Sequence, residues 1–92
     1  MSLKVRMFDI FKHLETDEDI QGFLQEVVST GDTSDFIHAL NIAAKAKGMS
    51  EVVRRAGVTR ATLYNSLSED GNPRFETISK IVNALGCKLA VI

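Results

Sequence analysis

The chain has a single cysteine, Cys87, and no long apolar run. One cysteine cannot form an internal disulfide, which excludes a fold held together by disulfides within the chain. The apolar runs are only a few residues long, far short of the roughly 20 that a membrane-spanning helix needs. Residues 1–6 also lack the apolar core and the small-residue cleavage site of a signal peptide. These absences predict a protein of the reducing cytoplasm that does not enter a membrane.

The sequence also lacks the residue groupings that catalysis or metal binding requires. His13 and His38 stand alone, and no cysteine–histidine cluster has metal-ligand spacing. No nucleophile–base pair and no phosphate-binding loop is present. Asp17, Glu18 and Asp19 could be imagined as a metal site, but acids at a predicted helix start are typical of helix-dipole compensation. The prediction is a protein that is not an enzyme and uses no cofactor and no metal.

The length and the charge distribution indicate one small domain with two different faces. Ninety-two residues make a single domain, 1–92, which buries a small share of its surface, so a partner subunit is an expected source of stability. Residues 1–44 carry three basic and eight acidic side chains, a net −5, whereas residues 45–92 carry eight basic and four acidic, a net +4. This division favours a basic partner for the first half and a polyanion for the second, or simply two solvated faces.

Apolar periodicity and capping residues predict two helices in the first half. The first begins after Thr16, an N-cap that is followed three residues later by Asp19. The second begins near residue 32 or 33 and closes at Gly48. The predicted buried stripes are Ile20, Phe23, Leu24, Val27 and Val28 in the first helix and Phe36, Ile37, Leu40, Ala43, Ala44 and Lys47 in the second.

The segment 50–67 has the pattern of a helix-turn-helix. Ser50 and Thr59 are suited to cap two short helices, and Gly57 between them tolerates the positive φ of a tight turn. The apolar residues that would pack the two helices together are Val52, Val53, Ala56, Val58 and Leu63. The third and fourth helices of the chain are therefore predicted here.

A fifth helix is predicted from about Arg74 to the glycine at position 86. Its predicted apolar stripe is Phe75, Ile78, Ile81, Val82 and Leu85. Residues 3–8 and 88–92 are predicted as short strands, which would have to pair with each other or with a second copy because a lone strand is not stable. The predicted fold class is all-α, a five-helix, phage-repressor-like helix-turn-helix domain with short terminal strands.

The outward face of the fourth predicted helix carries side chains that the major groove of DNA can bind. An arginine can bond guanine in a fork, and an asparagine can bond adenine in the same way. The predicted base-contacting residues are Arg60, Ala61, Tyr64 and Asn65. Hydroxyl, amide and basic groups around this face suit the phosphate backbone. The predicted phosphate-contacting residues are Ser50, Arg55, Thr59, Asn72 and Arg74.

Two other interpretations of this segment stay open. Each of these residues taken singly is more often an ordinary surface residue, and Tyr64 could equally pack at the edge of the core. The combination with Gly57, Thr59 and the apolar spacing is what favours DNA binding. Helix-turn-helix folds also serve as pure protein-interaction modules, and this is the main alternative.

Two runs of the sequence resemble known families. Residues 48–58 resemble the helix-turn-helix of phage repressors of the Cro/Xre type. Residues 63–75, with the pattern L-Y-x-x-L-S-x-x-G-N-P-R-F, resemble more specifically the addiction-module antidote family, the HigA-related antitoxins of type II toxin–antitoxin pairs. The resemblance covers nearly the whole chain from Phe8 onward. Val53 stands where repressor motifs usually have alanine, which predicts a slightly wider spacing of the two helices.

The resemblance implies partners that the residues alone do not indicate. One is a small basic RelE/ParE-like toxin encoded beside the antitoxin. The other is a palindromic operator in its own promoter, double-stranded DNA that the antitoxin binds as a homodimer, with toxin binding tuning the repression. We predict that the dimer forms through residues 75–92. The alternatives are a stand-alone phage-type repressor without a toxin, and an adaptor that binds protein instead of DNA.

Overall fold

A computed structural model describes residues 14–68 and 71–89 of the chain. These residues form five helices, as the sequence predicts: α1 Asp17–Thr30, α2 Thr33–Lys47, α3 Met49–Ala56, α4 Arg60–Ser66 and α5 Phe75–Ala84. No strand occurs within the described ranges, and residues 87–89 are irregular. The strand predicted at 3–8, and the end of the one predicted at 88–92, lie outside them. None of the helices in the described ranges is long and apolar enough to cross a membrane.

Capping boxes fix the starts of the first two helices. Thr16 Oγ1 accepts the Asp19 N–H at 3.1 Å, and Asp19 Oδ2 accepts the Thr16 N–H at 3.1 Å. Asp32 and Asp35 exchange the equivalent bonds at the start of α2, with distances of 2.9 and 3.1 Å. Each box satisfies backbone donors that have no partner within the helix. The first box confirms the prediction at Thr16, and the second places the start of α2 at the predicted position.

The core surrounds α2, whose buried face is rich in alanine. Leu40, Ala43 and Ala44 are fully buried, and Ala39 is nearly so. Small side chains let neighbouring helices approach α2 closely, and both α1 and α3 pack against it. The other fully buried large side chains are Val52 of α3, Leu63 of α4, Ile81 of α5 and Leu85 directly after α5. The later helices complete one continuous core, in which α5 contacts both α3 and α4.

Two polar contacts join α1 to distant parts of the chain. Lys47 Nζ donates to Asp17 Oδ1 at 2.5 Å, and only 10% of the Lys47 side chain is exposed. Gln21 Nε2 donates to the carbonyl of Gly86 at 2.7 Å. The predicted position of Lys47 on the inner face of α2 is therefore satisfied by an acid of α1. In the described ranges no group of acids, histidines or cysteines could hold a metal ion.

Three details of the sequence prediction are wrong. Val28 is 61% exposed and Phe75 is 75% exposed, although both were predicted in buried stripes. Val28 lies about 80° around α1 from Ile20, beyond the narrow strip that α2 covers. Ser50 does not cap α3, because the helix already begins at Met49 and its N-cap residue is Gly48, which makes no side-chain capping bond. Gly48 is also the C-cap residue of α2, so one residue both ends α2 and starts α3.

Candidate nucleic-acid interface

The segment predicted to recognise DNA forms two short helices, α3 and α4, joined by three residues. Gly57 ends α3 with φ 70° and ψ 30°, and its N–H donates to the Val53 carbonyl at 3.1 Å. This left-handed conformation is easily adopted by glycine and costly for other residues. Thr59 then caps α4, because its Oγ1 accepts the Thr62 N–H at 3.0 Å. The roles predicted for Gly57 and Thr59 in the turn are confirmed.

The inner faces of both helices are anchored in the core. Leu63 is fully buried, Ser66 is 8% exposed, and Val52 and Ala56 of α3 are buried beside them. Val53 and Val58 are half-buried against the same cluster. The predicted packing residues therefore all point inward. This anchoring fixes which side of α4 is turned to solvent.

The outward side of α4 holds a small polar network around Arg60. The guanidinium donates to Ser50 Oγ at 2.7 Å and to the Tyr64 hydroxyl at 3.4 Å. The guanidinium carbon also lies 6.0 Å from the centre of the Tyr64 ring, within range of a cation–π contact. Tyr64 is 44% exposed, so it does not pack into the core. The structure thus brings together two predicted base contacts and one predicted phosphate contact.

Arg55 of α3 is engaged within its own helix. Its Nε donates to Glu51 Oε1 at 2.7 Å, and Arg54 binds the same carboxylate at 2.5 and 3.2 Å. The hydrogen bonds from Arg54, and then those from Arg55, hold the pKa of Glu51 below its usual value. Glu51 therefore keeps its charge to a lower pH than a free glutamate does. Sequence reasoning overlooked Glu51, although its spacing of three and four residues from two arginines was the available signal.

The loop after α4 returns to the end of that helix. Gly71 donates to the Ser68 carbonyl at 3.0 Å, and a Cβ at Gly71 would lie 2.3 Å from the Asn65 carbonyl oxygen. Asn65 and Asn72 consequently line one small surface hollow. Asn65 and Asn72 are both exposed, and so are Ala61 and Thr59. Asn72 is therefore close to the predicted base-contacting face.

Arg74 is a predicted phosphate contact that lies outside the Arg60 network. It is exposed and forms the N-cap residue of α5, with extended backbone and no side-chain capping bond. Within the described ranges, Arg74 and Arg55 form no hydrogen bond or ion pair with the Arg60 network. The structure therefore joins Arg60, Tyr64 and Ser50 directly and leaves these two arginines outside that group.

We expect alanine substitutions at two glycines to change stability in opposite directions. Gly57→Ala should cost about 1–2 kcal/mol, because the left-handed conformation is unfavourable for a residue with a Cβ, and nothing lies within 4 Å of the new atom. Gly22→Ala is the matched control: it lies inside α1, also in open space, and should gain about 0.5–1 kcal/mol. Urea denaturation measures both values. Equal changes in free energy would contradict the assigned backbone of the turn.

Comparisons with known proteins place the whole chain in one family. A family model described as "Probable addiction module antidote protein" matches residues 4–92. An uncharacterized protein of Haemophilus influenzae is 36% identical over 91 residues, which cover 99% of this chain and 94% of that protein. No solved structure matches the chain.

Proposed function

This chain belongs to the family of probable addiction module antidote proteins, and from that membership we propose that it is an antitoxin with two partners. An antidote implies a toxin, and we propose a small basic toxin of the RelE/ParE kind. The second partner is a palindromic operator in its own promoter, which a homodimer binds through the α3–α4 segment acting as a helix-turn-helix of the phage-repressor type.

The Arg60 network is the observation that carries the DNA-binding half of the proposal. The inward residues of α4 are committed to the core, which leaves a polar outward face of arginine, tyrosine and asparagine. Ser50 restrains the Arg60 guanidinium at 2.7 Å, so less side-chain entropy is lost when it binds. A restrained arginine beside an exposed asparagine matches the groups that guanine and adenine present in the major groove.

The acidic surface of α1 and of the start of α2 supports a basic toxin. Acidic side chains on this part of the chain are all exposed: Glu15, Asp17, Glu18, Asp19, Glu26, Asp32 and Asp35. Residues 15–35 contain no lysine or arginine, and Lys47 at the end of α2 is already paired with Asp17. Electrostatic attraction to such a surface accelerates the encounter with a basic protein. The acidic surface is contributed by α1 and α2, and the Arg60 network by α3 and α4.

The DNA half of the proposal is tested by fluorescence anisotropy of the purified full chain. The duplexes are the DNA upstream of its own gene and a scrambled sequence of the same composition, each at several salt concentrations. We expect tight binding to the upstream duplex and weak, strongly salt-dependent binding to the scramble. Weak and equal binding to both would contradict sequence-specific recognition and favour an adaptor.

The toxin half is tested with the product of the adjacent gene. We expect that protein to be small and basic, to arrest growth when expressed alone, and to co-purify with this chain when both are expressed. Growth arrest that this chain does not relieve would contradict the antidote role. Operator binding without such a neighbour would identify a stand-alone repressor.

Replacing Glu51 with glutamine should strengthen DNA binding and steepen its salt dependence. The carboxylate now holds two arginines of α3, and its removal frees them for phosphates. One added phosphate contact raises the slope of log K against log salt by about 0.9. The matched control is Glu26→Gln on α1, which removes the same charge far along the chain. Identical salt slopes for the two variants would contradict this role of Glu51.

A further inference from the structure

The side of α4 away from the Arg60 network carries a hydroxyl that the sequence prediction did not include. At about 100° per residue, Thr62 lies about 160° around the helix from both Arg60 and Tyr64. Thr62 is exposed, and Asn65, about 60° from it, lies between Thr62 and the network. The outward face of α4 therefore has two edges, one formed by the Arg60 network and the other by Thr62.

The Thr62 hydroxyl has a proton without an acceptor. Thr59 Oγ1 accepts the Thr62 N–H at 3.0 Å and donates its own proton to Thr62 Oγ1 at 2.8 Å. The capping hydroxyl of Thr59 is thus fully engaged, whereas that of Thr62 serves only as an acceptor. Across residues 14–68 and 71–89, the Thr62 hydroxyl donates to no other group. Its proton is therefore available to an acceptor on a partner.

Asn72 extends the Thr62 edge into the loop after α4. It lines a small hollow together with Asn65 and Ser66, which lie three and four residues after Thr62 and so share its side of the helix. Asn72 is exposed, and its side-chain amide makes no hydrogen bond within the described ranges. An amide nitrogen carries two donor protons. The Thr62 edge therefore combines a hydroxyl and an amide, both with protons to donate outward.

The Ser50 hydroxyl gives the opposite edge the same property. Ser50 Oγ accepts from the Arg60 guanidinium at 2.7 Å. Ser50 is exposed, and its own proton has no acceptor in the part of the chain that the structure describes. Neutral hydroxyl and amide donors are among the groups that bind phosphate oxygens in protein–DNA complexes. Each edge of α4 thus offers a donor suited to a phosphate.

We propose that Thr62 and Asn72 bind the phosphate backbone of one DNA strand, while Ser50 binds that of the other strand across the major groove. The inference rests on the proposed function, in which α4 enters that groove. The groove is about 12 Å wide, and a helix with its side chains is about 10–12 Å across. Both edges of α4 therefore meet a wall of the groove, and each wall is the backbone of one strand. Asn65, between the edges, keeps its place among the base contacts.

Methylphosphonate interference with the purified full chain tests the assignment. One phosphate at a time, on each strand of the upstream duplex, is replaced by a neutral methylphosphonate, and anisotropy gives the affinity. Thr62→Val removes the hydroxyl and keeps the shape of the side chain. On the unmodified duplex it should weaken binding about 3–10-fold for each half-site, the usual worth of one hydrogen bond. This deficit should disappear at the single phosphate that Thr62 contacts.

The strand on which each phosphate lies is the decisive observation. The deficit of Ser50→Ala should disappear at a phosphate of the other strand in the same half-site. Asn72→Ala, a second variant outside the helices, should map to the same strand as Thr62→Val. The salt dependence of binding by Thr62→Val should equal that of the wild type, because a hydroxyl carries no charge.

Thr33→Val is the matched control, since Thr33 is an exposed threonine in the first turn of α2. It should bind DNA as the wild type does, and circular dichroism melts check that each variant is folded. Wild-type affinity of Thr62→Val would overturn this inference and leave the proposed function standing. Ser50 and Thr62 mapping to one strand of a half-site would do the same. A wild-type chain that binds no upstream DNA would overturn both.

Discussion

The double variant Arg60→Ala/Asn65→Ala is expected to lose about 1.5 to 4 powers of ten in affinity for each operator half-site. Each good bidentate contact between a side chain and a base is worth about 1–3 kcal/mol, and about 1.4 kcal/mol corresponds to a tenfold change. Both side chains project from the outward face of α4, where Leu63 anchors the opposite face. The loss should be much smaller on a scrambled duplex, because contacts to bases are absent there.

A matched control shows whether the loss of affinity is specific to α4. Gln25→Ala/Lys45→Ala removes one amide and one positive charge from exposed residues of α1 and α2. This control should bind the operator almost as the wild type does. Anisotropy titrations at one salt concentration compare the variants. Equal affinities for the two double variants would show that α4 does not read the operator bases.

Leu63→Ala is expected to destabilise the fold by about 2–5 kcal/mol, the usual cost of removing a buried leucine side chain. Leu63 is fully buried and links α4 to the core. Small domains have only about 5–15 kcal/mol of stability in total. A loss of this size should therefore lower Tm by more than about 10 °C. Operator binding should be lost in parallel, as the orientation of α4 depends on this anchor.

Leu89→Ala is the matched control for the buried leucine. Leu89 is 41% exposed, so the same truncation leaves little new cavity and should cost well under 1 kcal/mol. Urea denaturation followed by circular dichroism gives both free energies. The m-value should stay constant if each variant unfolds in two states. Similar losses in the two variants would argue against the described packing of α4.

Local signals predicted the helices well. Helix starts are marked by capping hydrogen bonds between residues that are close in sequence. Thr16 and Asp19 mark the start of α1, and Thr59, after the turn at Gly57, marks the start of α4. Such bonds form wherever the local chemistry allows them, independently of the rest of the fold. The number of helices and most of their bounds in the described ranges could therefore be predicted from sequence alone.

The failures all depend on contacts between distant residues. The exposure of Val28 follows from the narrow strip of α1 that α2 covers, and the exposure of Phe75 from the open surface groove that it helps to line. Periodicity identifies an apolar face but does not say how much of that face another element will cover. Ser50 failed as a cap because Gly48 begins α3 earlier, and its hydroxyl instead accepts a hydrogen bond from Arg60.

The residues of the candidate interface were predictable as a set, but their mutual contacts were not. The helical spacing of Arg60 and Tyr64 places them on one face, and the structure joins them to Ser50 ten residues earlier. That contact requires the turn between α3 and α4 to bring the two helix starts together. The engagement of Arg55 by Glu51 likewise depends on side-chain conformations, which helical spacing permits but does not determine.

The single glycine between α2 and α3 has a mechanical consequence. Gly48 is the C-cap residue of α2 and the N-cap residue of α3. No other residue therefore separates α2, which carries part of the acidic surface, from α3, which leads to Arg60. The pair of Lys47 with Asp17 ties the end of α2 to α1, next to this junction. Gly48 is therefore the single residue at which the backbone could bend between α2 and α3. Under the proposed function, a toxin on the acidic surface that acted by swinging α4 relative to α1 would have to bend the chain there or at the turn between α3 and α4.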